Sequence, residues 1–320
     1  MILRTLLISS ALLVAAGQLW AQSQSSGRPI RMVVPYPAGG GTDGSARVLA
    51  ADLTKRLGQS VLVENRAGAG GILGAKSVVS AAPDGTTYFY GYAGNLSSVF
   101  FKTTFVDAAK ELIPVSLTGS ATLVFFTSAK VPARTLQELV AYAKANPPGK
   151  LNLAVQAQNV ELVMHMVKNA TGITFTPVNY KGSAPAAAAL LAGEADVFIN
   201  VWQGVGDHVA SGRARALFFM AHKRSDLLPD VPLSRELGLL NFEGSAANLG
   251  VWAPLGTPSD EVLRVSRAAT ASAQDPETVE KIRKLGFAVI GAGPEELLRA
   301  HDAEVKFYIE AARIANFVPQ

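Results

Sequence analysis

Three consecutive glycines stand between an apolar pentapeptide and an amphipathic run, and that junction restricts the fold more than any other stretch. It reads Pro35-Tyr36-Pro37-Ala38-Gly39-Gly40-Gly41-Thr42-Asp43. The apolar run Ile30–Val34 before it predicts a strand. Ala46, Leu49, Ala50, Leu53 and Leu57 after it share one face at helical spacing, predicting a helix over 42–57 that Gly58 ends. Glycines let backbone approach a ligand where a side chain would forbid it. The first-turn N–H groups of the helix lack partners, and its dipole favours negative charge there. Thr42 and Asp43 suit the capping positions. The junction thus reads as an anion site, most simply for a carboxylate, or else as a structural α/β turn. No lysine follows Gly41, so it is not a Walker loop, and its spacing is not that of a dinucleotide fingerprint.

The same strand–loop–helix logic recurs. Residues 60–64 predict a short strand whose unbroken apolarity suggests parallel pairing with both faces covered. Asn65-Arg66-Ala67-Gly68-Ala69-Gly70-Gly71 leads into a helical run; Gly74 comes one place too late for a dinucleotide loop, so a tight helix–strand approach is expected. Residues 86–92 predict a strand opening into Ala93-Gly94-Asn95-Leu96-Ser97-Ser98. Ligands of open α/β sheets bind at such strand ends, where Asn95, Ser97 and Ser98 either bond an oxyanion or solubilise the loop. A second unit follows, with strands at 123–127, 151–155, 173–180, 195–200 and 216–221. Its strand-end loops carry Gln156, Gln158 and Asn159, then Lys181, Gly182 and Ser183, then Asn200, Trp202 and Gln203. The expected fold is α/β with two lobes, 22–120 plus 250–320 and 121–249, their loops facing one central cleft. Crossings are expected near Gly119 and near residues 244–250, and helices near 260–272, 276–285 and 294–313 return to the first lobe.

Composition closes off other chemistries. The absence of cysteine excludes disulfides and thiolate catalysis, and the histidines at 165, 208, 222 and 301 do not pair at metal-binding spacing, so neither a metal nor another cofactor is expected. A net charge of +4, without a basic tail, argues against nucleic acid. No GxSxG elbow or ordered triad is present. His165, inside Val163-Met164-His165-Met166-Val167, reads as a packed histidine, and His208 and His222 as surface or supporting residues. Trp202 either walls a pocket or packs in the core. Lys181 and Arg66 are candidate cations for a second carboxylate, or ordinary surface charges. Arg4 before the apolar run 6–17 resembles an export signal, residues 1–21, cleaved after Ala21; a retained anchor is the alternative.

The succession of these motifs resembles the Bug family, the TctC-type extracytoplasmic receptors of tripartite tricarboxylate transporters. It rests on Tyr36 to Asp43, Val63-Glu64-Asn65-Arg66-Ala67-Gly68-Ala69-Gly70-Gly71, Ala82-Pro83-Asp84-Gly85-Thr86, Tyr180-Lys181-Gly182-Ser183-Ala184-Pro185, Leu191-Ala192-Gly193-Glu194-Ala195-Asp196 and Leu228-Pro229-Asp230-Val231-Pro232. The resemblance implies a periplasmic-binding-protein-like, Venus-flytrap receptor without catalysis, located in the periplasm. It implies a small organic carboxylate held by Gly39 to Asp43, pocket loops at Ala93 to Ser98 and in the second lobe, and membrane permease subunits as partners. A receptor signalling to a membrane sensor is the nearest alternative, and a secreted hydrolase a remoter one. The segment Gln156-Ala157-Gln158-Asn159-Val160-Glu161 departs from the small, hydroxyl-rich family pattern. Its long amides suggest a smaller, amide-bearing or differently shaped carboxylate than a tricarboxylate.

Overall fold

The computed structural model describes residues 27–103, 105–202, 205–221, 224, 228–239 and 247–319. The expected export signal, Gln203, Gly204, His222 and residues 244–246 of the expected second crossing lie outside the described residues, as does the side chain of Gln158; the rest of that crossing, 247–250, belongs to a strand.

The described residues form two sheets. The first contains β1 (Ile30–Val34), β2 (Val61–Asn65), β3 (Thr87–Tyr92), β4 (Leu112–Ala121), β10 (Ala247–Pro254) and β11 (Phe287–Ala292), in the order β11-β4-β10-β3-β1-β2. The second contains β5 (Leu123–Ser128), β6 (Leu151–Val155), β7 (Phe175–Asn179), β8 (Val197–Val201) and β9 (Ala214–Met220), in the order β7-β6-β8-β5-β9. The helices of eight residues or more are α1 (Gly41–Leu57), α2 (Ile72–Val79), α3 (Leu136–Lys144), α4 (Gln158–Thr171), α5 (Ser183–Ala192), α6 (Ser259–Ser272), α7 (Pro276–Lys284) and α8 (Pro294–Ala315). None among the described residues is long and apolar enough to cross a membrane.

Pairing direction decides where loops gather. β1 runs parallel to both β2 and β3, so the glycine junction and the turn after β3 emerge side by side. β6 runs parallel to β7 and β8, which gathers the ends at Gln156, Lys181 and Asn200 in the same way. The cores are strongly apolar. Tyr88, Phe89 and Tyr90 are almost fully buried in β3, and in the second sheet the Phe125 and Phe218 rings stack at 4.8 Å. Such aromatic pairs add to the burial term because offset rings align their quadrupoles.

Several expectations need correction. β2 is an edge strand, and Leu62 is 54% exposed, so one face lacks the cover that its apolar sequence suggested. The chain does pass from the first sheet to the second near Gly119, and Gly119 itself has a packing role. It lies inside β4, paired to Leu249 and Val289, and a Cβ there would come within 2.5 Å of the Ala288 carbonyl oxygen. The first crossing is at Thr122, between β4 and β5. β11 was not foreseen, and β10 and β11 pair antiparallel with β4 in a sheet whose other members are parallel.

α8 reaches across both layers. It packs on β4 and β10, and its end meets α4 of the second unit. There the Asn169 amide donates to the Ile314 carbonyl at 3.2 Å, and the His165 ring stands edge-on to Phe317 at 5.9 Å. His165 is half-buried; desolvation, helped by the nearby Lys168 charge, holds its pKa below the usual imidazole value.

Candidate functional site

A cavity of about 370 Å³ lies between the two sets of strand ends. Its wall takes Tyr36, Ala38, Gly39, Gly40, Gly41, Thr42 and Asn95 from the first unit, and Gln156, Asn159, Lys181, Gly182, Ser183 and Asn200 from the second. Tyr92, Leu123, Leu191, Val201, His208 and Ala247 also border it and were missed by sequence reasoning. Tyr92 had a usable signal, since it is the last residue of β3 and immediately precedes a loop already singled out.

Three helices begin at this wall. The residue preceding each helix, Gly40 for α1, Ala157 for α4 and Gly182 for α5, provides no side-chain cap. The uncapped first-turn N–H groups therefore leave the positive ends of three helices around one space. Lys181 is the only lysine or arginine among the described wall residues, and no aspartate or glutamate is among them. The wall thus favours an anion. Gly182 has φ +110°, and a Cβ there would press to 3.1 Å on Pro37 of the opposite unit, so backbone and proline close the rim together.

Asp43 takes a different place from the one expected. It does not border the cavity, and Gly40 rather than Thr42 or Asp43 occupies the capping position. The buried Asp43 carboxylate turns back on its own loop. Oδ2 accepts from the Gly39 N–H at 2.9 Å and from Arg47 Nε at 3.0 Å, and Oδ1 accepts from Asn65 Nδ2 at 2.9 Å. The Asn65 amide also donates to the Tyr36 carbonyl at 3.1 Å. Burial opposes the Asp43 charge, but Arg47, Gly39 and Asn65 outweigh it and hold the carboxyl below its usual pKa. Asp43 thereby fixes the loop that forms the wall.

Ala93, Gly94 and Trp202 also stand off the cavity wall. Ala93 is buried in the core. Trp202 packs against Phe126 and Phe219, each with ring centroids 6.2 Å away, because the chain turns just after β8 and takes the indole away from the strand end. Arg66 pairs with Glu64 instead of reaching the cavity. Ser97 and Ser98 line a smaller separate cavity beside His301. In the second glycine turn, Gly74 lets the helix approach Pro35 and Arg66; an added Cβ would stand 2.8 Å from the Arg66 carbonyl oxygen. This is the tight approach that the sequence suggested.

Behind the wall lies Glu304 of α8, only 1% exposed. Its Oε2 accepts from Asn248 Nδ2 at 3.0 Å, and its Oε1 from the Tyr308 hydroxyl at 3.1 Å. Gly94 makes room for it, since a Cβ at Gly94 would lie 2.8 Å from the Glu304 carboxyl carbon. Desolvation raises the Glu304 pKa to about 7, against the partial relief given by Asn248 and Tyr308. The Tyr308 phenol in turn receives the Asn159 amide, and Tyr36 that of Asn95.

Two α/β lobes enclosing a cleft at their strand ends, walled by helix N-termini, define a periplasmic-binding-protein-like receptor. The comparisons place it more closely. The model of the tripartite tricarboxylate transporter family receptor, TctC, matches residues 45–306. The protein BugT of Bordetella pertussis is 35% identical over 274 residues, covering 84% of this chain and 83% of BugT. Among solved structures, the periplasmic binding protein BugD superposes with a TM-score of 0.85 at 31% identity, covering 92% of this chain and 99% of that one. An R. palustris protein solved with adipate gives 0.86 at 28% identity, covering 92% and 99%. MatC of Rhodopseudomonas palustris, with bound malate, gives 0.82 at 28%, covering 89% and 99%. The chain belongs to the tripartite tricarboxylate transporter receptor family, as a Bug-type, TctC-like solute-binding protein. It is a binding protein and not an enzyme.

Proposed function

We propose that this protein captures a small organic carboxylate in the cavity between its lobes, outside the cytoplasm, and presents it to the membrane subunits of a tripartite tricarboxylate-type transporter. The observation that carries the reading is the convergence of three uncapped helix N-termini and Lys181 on a wall whose described residues include no acid. One carboxylate docks on the loop Gly39 to Thr42, taking the first-turn N–H groups of α1, since the Gly39 N–H is held by Asp43. Asn95, Gln156, Asn159, Ser183 and Asn200 contact the remainder of the solute. The adipate and malate held by two structural relatives support a dicarboxylate-sized ligand. Residues 1–21 act as the export signal and are removed after Ala21.

The solute closes the lobes by binding the closed state better than the open one. Residues 22–120 and 250–320 form one lobe, and 121–249 the other. Calorimetry of the purified protein against adipate, malate, citrate and small monocarboxylates tests the reading. Stoichiometric binding of at least one of the dicarboxylates is expected, with citrate binding more weakly because Gln156 and Asn159 narrow the wall. Strong binding of citrate alone would overturn the assignment of size, and failure of every carboxylate would overturn the assignment of class.

A further inference from the structure

Glu304 is a buried carboxylate without a cation. Among the described residues the groups that meet its carboxyl are neutral; of the other elements packed on α8, α4 carries Glu161, His165 and Lys168, with His165 against Phe317, and the turn 108–111 carries Lys110, which pairs with Asp107. β10 offers the Asn248 amide, and the turn after β3 offers Gly94 and Asn95. Tyr36 and Tyr92 lie near it from the ends of β1 and β3, and Tyr308 from its own helix; burial raises the pKa of all three phenols, and the Glu304 charge adds to that rise. One turn earlier on α8, His301 packs edge-on to Trp252, and its titration is governed by burial and by Asp302 and Asp107, not by Glu304. Tyr36, Tyr92, Asn95 and Asn159 all border the solute cavity. A single layer of side chains thus separates Glu304 from a space built for an anion.

The hydrogen-bond polarity of this layer is unfinished. With Glu304 ionised, the Tyr308 hydroxyl must donate to it, and the Asn159 amide nitrogen faces the Tyr308 oxygen. The Asn159 Oδ1 atom is then left buried without a partner among the described residues, although Asn159 is only 6% exposed. Such an orphaned acceptor is costly. One proton on Glu304 gives this acceptor a donor. The new Oε1–H donates to the Tyr308 oxygen, the Tyr308 hydroxyl turns to donate to Asn159 Oδ1, and the Asn159 amide reverses. Its NH2 group is released from Tyr308. One proton is taken from solvent, one O–H bond forms on Glu304, and no other covalent bond changes.

We propose that Glu304 is a proton-binding positioning residue of this receptor, so that a carboxylate solute is captured together with a proton held one layer behind the cavity wall. The inference rests on the carboxylate reading of the cavity. An anion in the cavity disfavours a second negative charge behind the wall, and by linkage protonation of Glu304 tightens anion binding. The position of its titration, near neutrality, places the exchange in an accessible range.

Isothermal titration calorimetry with malate and adipate at pH 7.5, in buffers of different ionisation enthalpy, counts the protons exchanged; both probes are essentially dianions there. The wild-type protein is expected to take up a substantial fraction of a proton per bound solute. Its affinity should fall several-fold between pH 6.5 and 8.0, within the limit of about tenfold per pH unit for one linked proton. Glu304→Gln should bind with no proton uptake and with a pH-independent affinity. Tyr308→Phe, which keeps the carboxylate but breaks the relay to Asn159, should retain binding with weakened pH dependence. Solute binding without proton uptake by the wild type would overturn this inference and leave the carboxylate reading standing. Uptake that persists in Glu304→Gln would overturn it as well. Failure of every carboxylate to bind would overturn both.

Discussion

At the scale of single residues, the chain separates groups that bound the cavity from groups that hold the boundary in place. Asp43 belongs to the second kind. It ties Gly39, Arg47 and Asn65 together, and Asn65 passes the restraint on to Tyr36. Asp43→Ala leaves the Gly39 N–H and the Asn65 amide without their acceptor, a loss on the order of 1–3 kcal/mol for buried groups. Solute affinity is expected to fall about tenfold while circular dichroism stays that of the folded protein. Affinity equal to wild type in that variant would contradict the loop-fixing role. The acid itself was easy to notice in the sequence, but its direction was not. An aspartate in the first turn of a helix matches a cap, and only the tertiary position of Asn65 and Arg47 shows the side chain turned the other way. Trp202 misleads for a related reason. Along a strand, Asn200 and Trp202 would share a face, but β8 ends at Val201 and that alternation no longer applies.

At the scale of elements, α8 shows how one helix carries both cohesion and titration. It lies on β4 and β10 and touches α4 at its end, and it brings Glu304 into the interior. The folded pKa of about 7 stands above the ordinary 4.5 of a glutamate. The native state therefore holds this proton more tightly than the unfolded chain. The resulting stabilisation is complete below about pH 4.5 and is lost as pH rises through about 7. The difference corresponds to roughly 3 kcal/mol. Urea denaturation should show Glu304→Gln gaining about that much relative to wild type between pH 4.5 and 8, and parallel pH profiles would refute it. Most strands and helices were legible, because apolar runs, periodicity and a glycine stop mark the ends of β1, α1 and β6 within a residue or two. β11 was not, since its six residues contain Gly291 and sit between helices like a linker. Nor does local sequence reveal that β10 enters between β3 and β4, because strand partners far apart in the chain leave no periodic trace. About two thirds of the named cavity residues came from strand-end loops. Those missed, such as Leu123 and Ala247, enter the wall only through the packing of the two sheets.

At the scale of the whole molecule, the two sheets are unequal in how the chain supplies them. The second draws all its strands from the continuous span 123–220, whereas the first needs strands on both sides of that span. β10 is the inner strand that joins β3 to β4, and β4 carries β11 at the edge. Until residues beyond 247 arrive, the first sheet is therefore split into a three-stranded piece and a lone strand. Bringing distant segments together costs loop entropy before the contacts compensate, and so it is slow. The order of assembly follows. During refolding, pulse-labelled hydrogen exchange should find the amides of β6 and β8 protected before those of β3 and β10; the reverse order would contradict it. A chain emerging amino-terminus first thus cannot finish the glycine-loop half of its cavity until its last quarter is present, which keeps that half open until synthesis is nearly done.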